Sequence, residues 1–168
     1  TVAKEFHLAK IPFVYRIHEN PDPDKIEQVL ALIHKQGYHT KKSGQEITPK
    51  EVQKALGEIE GSAVEPLFSR LFLRSMKQAK YDTKCIGHFG LAAQYYCHFT
   101  SPIRRYPDLQ IHRIIKDTLR NRMNEAKKVY YEEFLDSVAE HSSMMERRAE
   151  ETERETIKLK KAEYMALM

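Results

Sequence analysis

Two adjacent arginines, Arg104 and Arg105, are the residues whose type and position best suit chemistry on a charged substrate. They follow the stretch Thr100-Ser101-Pro102 and precede a predicted helix start. A helix N-terminus holds anions through its free backbone N–H groups and its positive dipole end. Guanidinium groups are planar, permanently charged donors that suit phosphate oxygens. The spacing therefore predicts a phosphate-binding site, with surface ion pairs as the alternative role of the arginines.

Aromatic and imidazole rings accompany the arginine pair in sequence. They belong to His88, Phe89, Tyr96, His98, Phe99 and Tyr106. Nucleobases stack on such rings, and basic groups interleaved with aromatic ones are typical of single-stranded nucleic-acid binding. Packing in a hydrophobic core is the alternative, since clustered aromatics are common there. The histidines show no zinc-binding HExxH spacing, and no GxGxxG or GxxxxGK loop indicates a nucleotide cofactor.

Length and composition restrict the classes of protein that the chain can belong to. Its 168 residues carry a net charge of +4, which suits one domain with its own core and is compatible with an anionic partner. No apolar run is long enough to span a bilayer, so we expect no membrane association. The two cysteines match neither a disulfide framework nor a CxxC zinc site, which favours a reducing, cytoplasmic location.

The elements that must position these residues are mostly helical. Apolar alternation predicts a strand over residues 13–18, and helical spacing predicts helices over 24–36 and from the capping box Thr48-Pro49-Lys50-Glu51 to residues 57–61. A second capping box at Ser62 predicts a helix over 62–79. Residues 41–45 form a polar connector. The first nine residues have the pattern of the end of a helix.

The second half of the chain completes an α+β fold that is predominantly helical with a few short strands. Residues 86–99 are apolar, aromatic and interrupted by glycine, which predicts short strands. The next helix begins either at residues 100–102 or at residues 106–108. From Tyr130 onward the pattern predicts two long helices, and the last is rich in charges of opposite sign at i,i+4 spacing.

Several motifs resemble the RNB catalytic domain of the ribonuclease R and ribonuclease II family. The strongest are HFGLA at residues 88–92, YCHFTSPIRRYPDL at 96–109 and HR at 112–113. Further similar stretches lie at residues 13–19, 73–79 and 160–165, in the family's order. The resemblance therefore covers essentially the whole chain and implies a partial RNB-domain fold.

The resemblance implies part of a processive, magnesium-dependent exoribonuclease that degrades single-stranded RNA from its 3′ end to nucleoside 5′-monophosphates. The expected catalytic residues are Arg104 at the phosphate near the scissile bond, Arg105 as a second candidate, and Glu153 near the 3′-terminal nucleotide. Thr152 replaces the alanine that precedes this glutamate in the family. The RNA-binding residues are expected to be His88, Tyr96, His98, Thr100, Ser101, Tyr106 and Arg113.

The sequence departs from the family at the metal site. The family's metal-binding aspartates form a close run, whereas the aspartates here are scattered or, like Asp22 and Asp24, lie in a proline-rich turn. We therefore expect residues 1–168 to be the C-terminal portion of an RNB domain, without the metal-binding half, the cold-shock-like modules or the S1 module. No metal ligands are expected in this chain, so Mg²⁺ would be held elsewhere in the parent.

These expectations leave the role of the isolated chain open. It should be inactive alone and should bind single-stranded RNA and the remainder of the RNB domain within a monomeric parent. One alternative is a non-catalytic RNA-binding or scaffold module that kept this surface. Another is a protein-interaction fragment built on the charged final helix. An upstream carboxylate run in the parent would favour the nuclease over the binding module.

Overall fold

A computed structural model describes residues 1–38 and 47–168 of the chain, so the predicted polar connector at residues 41–45 lies outside the described residues. Six α-helices and one two-stranded sheet form the described part. In chain order the elements are α1 (Val2–Leu8), β1 (Tyr15–Ile17), α2 (Pro23–Lys35), α3 (Pro49–Ile59), α4 (Glu65–Ser75), β2 (Lys80–Asp82), α5 (Tyr106–Leu119) and α6 (Glu125–Ala166). The predicted helical α+β class is confirmed.

The elements surround two hydrophobic cores. The first lies between the sheet, α1, α5 and the first half of α6, and it includes the fully buried Ile114 and Leu135. The second lies between α2, α3 and α4 and includes Ile26, Ile33 and Phe72. Each helix contributes one apolar stripe to a core, as expected for amphipathic helices on a small domain.

Capping explains why the early helices begin where the sequence predicts. The hydroxyl of Thr48 accepts the N–H of Glu51, and the Glu51 carboxylate accepts the N–H of Thr48, which completes the predicted capping box of α3. Helix α2 begins at Pro23 after the Asp22 cap. Gly37 follows α2 with φ +88°, which glycine adopts without strain.

Helix α4 is shorter than predicted, because the second capping box does not form. The Ser62 hydroxyl donates to the carbonyl of Ile59 at 2.6 Å, and the N-cap of α4 is Val64, with no side-chain cap hydrogen bond. The Glu65 carboxylate accepts the N–H of Gly61 at 2.7 Å. Both side chains therefore close the turn after α3, and α4 spans Glu65–Ser75 rather than residues 62–79.

Two predictions for the second half of the chain were wrong. Residues 86–99 contain a single 3₁₀ turn, Phe89–Leu91, and isolated bridges instead of short strands, while β2 lies earlier, at Lys80–Asp82. The predicted pair of long helices is one helix, α6, of 42 residues. No glycine or proline interrupts it, and the Ser143 hydroxyl donates to the carbonyl of Ala139 one turn earlier in the same helix.

The sheet joins distant parts of the chain and is completed by α6. Strands β1 and β2 are antiparallel, with Arg16 opposite Tyr81. The N–H of Tyr81 donates to the Ser143 hydroxyl of α6 at 2.9 Å, so the helix satisfies a backbone donor of the edge strand. Among the described residues, no helix combines the length and apolar character needed to cross a membrane.

The first core should control the stability of the chain. Leu135→Ala removes a fully buried side chain and should lower the free energy of unfolding by about 2–5 kcal/mol. Leu119→Ala makes the same chemical change at a side chain that is 79% exposed, and it should change stability by less than about 0.5 kcal/mol. Urea unfolding followed by circular dichroism measures both. Equal effects at the two positions would contradict this assignment of the core.

Candidate functional site

A buried carboxylate organises the turn that carries the two arginines. Asp108 lies in the first turn of α5, and its side chain is fully buried. Its Oδ2 accepts the N–H of Ser101 at 2.8 Å and the Arg105 guanidinium from Nη2 at 2.8 Å and from Nε at 3.2 Å. A buried charge requires such partners. The contacts bend residues 101–105 back onto the start of α5, which begins at Tyr106 rather than at residues 100–102.

The two adjacent arginines therefore have different surroundings. Arg105 is held against Asp108, whereas the Arg104 side chain is exposed and has no hydrogen-bond or ion-pair partner among the described residues. The Arg104 N–H still bonds to the carbonyl of Ser101, so its backbone is fixed while its guanidinium is available. Of the pair, Arg104 is the one free to bind an anion.

A cleft of about 690 Å³ brings together four of the predicted site residues. They are Arg104, Arg105, Tyr106 and, from the facing side of α6, Glu153. Like Arg104, the Glu153 side chain is exposed and has no partner within the described part of the chain. An unpaired guanidinium and an unpaired carboxylate thus line one cavity. Such a cavity can bind a phosphate at one position and hydroxyl donors at another.

Sequence reasoning missed the residues that build the floor of this cleft. Tyr81 of β2 and Glu146 of α6 both line it, and the Arg16 guanidinium of β1 donates to Glu146. The same guanidinium lies 4.7 Å from the centre of the Tyr81 ring. One available signal was the spacing of Glu146, Glu150 and Glu153, which places three carboxylates along one side of a helix. Arg16 gave no signal beyond being a polar residue in a strand.

Several of the predicted rings contact one another in series and end at Tyr81, which lines the cleft. We call this series the chain of rings. His88 and Tyr96 are in edge contact with ring centres 5.2 Å apart, Tyr96 and His98 at 5.8 Å, and His98 and Tyr81 at 5.6 Å. The Tyr81 hydroxyl and Nδ1 of His98 are hydrogen-bonded at 2.9 Å. These rings are partly buried against one another. His112 similarly stacks on Phe99.

Burial moves the pKa values of three of these side chains in the direction that favours the uncharged form. Burial, together with the charges of Arg105 and Arg16, lowers the pKa of His98 to about 4. Burial, with nearby His18 and Arg16, also lowers the pKa of His88. Burial and then Glu146 raise the pKa of Tyr81 to about 12. The chain of rings is thus a neutral, polarisable surface between the charged groups.

The remaining predicted residues lie away from the cleft lining. Thr100 is exposed just before the turn, and Ser101 uses its backbone N–H to bind Asp108. Arg113 lies on the exposed face of α5, outside the cleft lining. Its positive charge opposes the rise that burial and Asp117 cause in the pKa of Tyr131 on α6. The structure therefore divides the predicted residues among the cleft, the series of ring contacts, the turn before α5 and the exposed face of α5.

The carboxylates of the cleft do not fit a magnesium ion. Glu146 is engaged by Arg16, and Glu150 accepts the Gln78 amide at 3.1 Å. Within residues 1–38 and 47–168, no three His, Cys, Asp or Glu side chains converge in a way that could hold a metal. Magnesium requires near-octahedral oxygen coordination. Any metal chemistry at this site would depend on groups other than the described residues.

The low pKa of His98 makes stability depend on pH. Between about pH 4 and 6.5 the unfolded chain binds more protons at this position, so the free energy of unfolding should fall as pH falls through that window. His98→Gln should reduce the loss of urea stability between about pH 7 and pH 5, while His88 retains a smaller effect of the same sign. His34→Gln is the control, since it removes an exposed histidine elsewhere. An unchanged pH dependence in His98→Gln would contradict the prediction.

Comparisons with known proteins identify the family of the chain. The RNB domain family profile matches residues 1–121. Ribonuclease R from Aquifex aeolicus is 44% identical over 98% of this chain, and Ribonuclease R 1 from Lactococcus lactis is 42% identical over 98%. Ribonuclease R from Escherichia coli is 36% identical, again over 98%. The chain spans 23%, 20% and 21% of the lengths of these relatives.

Solved structures show the same similarity. Mycoplasma genitalium RNase R, in its apo form and in complex with ribose-methylated single-stranded RNA, matches 92% of this chain with a TM-score of 0.83 and 26% identity, over 24% of its own length. Yeast Ssd1, described as a pseudonuclease, matches 78% of the chain and 17% of its own length, with a TM-score of 0.63 and 26% identity. From the family profile, the relatives and the fold together, the chain belongs to the RNB domain family of ribonuclease R.

Proposed function

We propose that this chain forms part of a 3′-to-5′ exoribonuclease that hydrolyses single-stranded RNA to nucleoside 5′-monophosphates. In this proposal the chain supplies an arginine to the phosphate near the scissile bond and part of the wall of the RNA channel. The observation that carries the proposal is the cleft in which Arg104 and Glu153, both unpaired among the described residues, lie together. Membership of the RNB domain family supports the reaction type.

Arg104 acts on the phosphate in this proposal. Its guanidinium offers a planar fork of donors and keeps its charge at any working pH. A phosphate under attack gains charge on its oxygens, so a donor held there stabilises the transition state more than the bound substrate. Because the backbone of residues 101–105 is anchored by Asp108, little reorganisation is needed to place the donor.

Arg105 and Glu153 have supporting roles. Arg105 uses Nε and Nη2 on Asp108, which leaves Nη1 without a partner among the described residues and available as a second donor beside Arg104. Glu153 carries a carboxylate, which repels phosphate but accepts hydrogen bonds from hydroxyl groups. It is therefore suited to the ribose of the 3′-terminal nucleotide.

The rings and the other polar groups would line the RNA path. His88, Tyr96, His98 and Tyr106 offer ring surfaces, and Tyr106 is the most exposed of them and lines the cleft itself. Thr100, Ser101 and Arg113 flank this path in our proposal. Three further statements remain predictions: the parent supplies the ligands for Mg²⁺, the parent is monomeric, and its location is cytoplasmic.

A variant of Arg104 tests the proposed role. In a full-length enzyme that carries this segment, Arg104→Ala should lower turnover by about 10²–10³-fold, because it removes a donor aimed at developing charge. RNA affinity should change little, since other contacts along the strand remain. Single-turnover RNA hydrolysis and fluorescence anisotropy measure the two quantities separately.

Two further variants sharpen that test. Arg104→Lys should restore activity only in part, because an ammonium keeps the charge but not the planar fork. Arg70→Ala removes an exposed arginine of α4 and should change neither turnover nor affinity. A loss of affinity of several hundredfold in Arg104→Ala with unchanged turnover would make Arg104 a strand anchor and would refute the catalytic assignment.

The isolated chain should have no magnesium-dependent nuclease activity. The described residues hold no converging set of metal ligands, so the cation would have no site to occupy. Incubating the purified chain with labelled poly(A) and Mg²⁺, followed by separation of mononucleotides, measures this. Release of mononucleotides that EDTA abolishes would contradict the prediction.

A non-catalytic RNA-binding or scaffold module is the second candidate function. The match to yeast Ssd1, described as a pseudonuclease, favours it, because a similar fold occurs there under that description. The sequence of the parent separates the two candidates. A close run of aspartates before this segment supports the nuclease, and substituted positions in that run support the binding module.

A further inference from the structure

The outer face of α5 carries a row of basic side chains. Arg113 and Lys116 of α5 and Arg120, the C-cap residue that follows the helix, are spaced at i, i+3 and i+7, which places them along one side of it. All three are exposed, whereas Ile111 and Ile114 on the opposite side are buried in the first core. We call Arg113, Lys116 and Arg120 the α5 basic row.

One acidic residue, Asp117, lies at i,i+3 or i,i+4 spacing from the basic row, and its carboxylate is engaged by other partners. Among the described residues, none of its three side chains has a hydrogen-bond or ion-pair partner. The nearby carboxylate of Asp117 is occupied by the Tyr131 hydroxyl at 2.8 Å and by Lys127 at 3.5 Å. Like charges three or four residues apart on a helix repel each other, so the arrangement is unfavourable in the absence of an anionic partner.

Helix α6 provides the contrast within the same chain. Its exposed second half pairs its charges locally, with Lys158 on Glu155 at 2.7 Å and Lys160 on Glu163 at 2.7 Å. Solubility alone is therefore achieved with mixed charges, as is usual for an exposed helix. The single sign of the α5 row calls for a different explanation.

The basic row is continuous with the candidate site. Tyr106, which lines the cleft, begins α5 and lies on the same side of the helix as Arg113. From Tyr106 to Leu119 the helix rises about 20 Å, at roughly 1.5 Å per residue, and Arg120 follows as its C-cap. A strand that leaves the cleft at Tyr106 could therefore follow the exposed side of α5 past three cations.

We propose that the α5 basic row is a second RNA-contacting surface, which binds the phosphate backbone of single-stranded RNA outside the cleft. The inference rests on the proposed function in so far as RNA occupies the cleft. The contacts are to phosphates, so the row binds without sequence preference and its contribution depends strongly on salt. It adds affinity for strands that extend beyond the cleft and takes no part in the chemistry.

The test uses the purified chain and labelled poly(A). The row variant combines Arg113→Gln, Lys116→Gln and Arg120→Gln, all at exposed positions. It should weaken binding by about tenfold or more at about 50 mM salt and reduce the slope of log affinity against log salt by about 2, as expected when three contacts to single-stranded phosphates are lost. Fluorescence anisotropy measures both quantities, and circular dichroism checks the fold.

Matched variants distinguish an effect of the basic row on RNA affinity from an effect of net charge. The control combines Lys77→Gln, Lys158→Gln and Lys160→Gln, which removes the same number of charges from side chains that are each ion-paired. It should leave the affinity near that of the unmodified chain. Arg113→Lys with Arg120→Lys keeps the charges and should retain most of the binding, since phosphate contacts of this kind depend mainly on charge.

The other outcomes overturn the proposal in distinguishable ways. Equal weakening by the row and control variants would show a general charge effect. Unchanged poly(A) binding in the row variant would remove the second surface and leave the proposed function standing. Polyglutamate serves as a second probe. If the row variant lost polyglutamate binding and kept poly(A) binding, the row would be assigned to an acidic protein partner. No binding of poly(A) by the unmodified chain at low salt would overturn both proposals.

Discussion

The candidate site depends on the buried carboxylate of Asp108. An ionised carboxylate without contact to water is tolerated only when charged and polar partners surround it. Here the Arg105 guanidinium and the Ser101 N–H supply those partners through a single oxygen, Oδ2. Removing one partner of such a pair typically costs about 3–5 kcal/mol. The turn before α5 is thus fixed by electrostatics, and Arg104 lines the cleft with a guanidinium that has no partner among the described residues.

Helix α6 is the second constraint, because it joins the sheet to the cleft. Ser143 satisfies the N–H of Tyr81, and the next turn brings Glu146 to Arg16. One more turn along the same side leads to Glu150 and then Glu153. A helix anchored at its buried half therefore positions the exposed Glu153 carboxylate, which has no hydrogen-bond or ion-pair partner in the part of the chain that the structure describes. The first half of α6 packs in the first core, and the start of its second half lines the cleft.

Local chemistry made part of the fold predictable. The capping box at Thr48, the proline at the start of α2 and the glycine after it act within a few residues, and the structure confirms each one. The failures arose where a distant or competing contact decides the outcome. The Ser62 hydroxyl turns to the Ile59 carbonyl instead of capping α4, and α6 runs on through Ser143, whose hydroxyl also accepts the N–H of Tyr81 in the sheet. The rings of residues 86–99 pack on one another and do not pair as strands.

The sequence predicts the residue types of the candidate site, but it does not predict which arginine is bound by Asp108 and which is exposed. Adjacent arginines before a helix indicate an anion site, and Arg104 and Arg105 both line the cleft. Nothing in the local pattern says which of them a buried aspartate will engage, because that depends on the direction in which the turn bends. Arg16 and Tyr81 could not be predicted from the local sequence, because they come close to Glu146 only when β1, β2 and α6 have assembled. Residues suited to binding an anion can thus be recognised by type, whereas the contacts that hold them in place require the assembled fold.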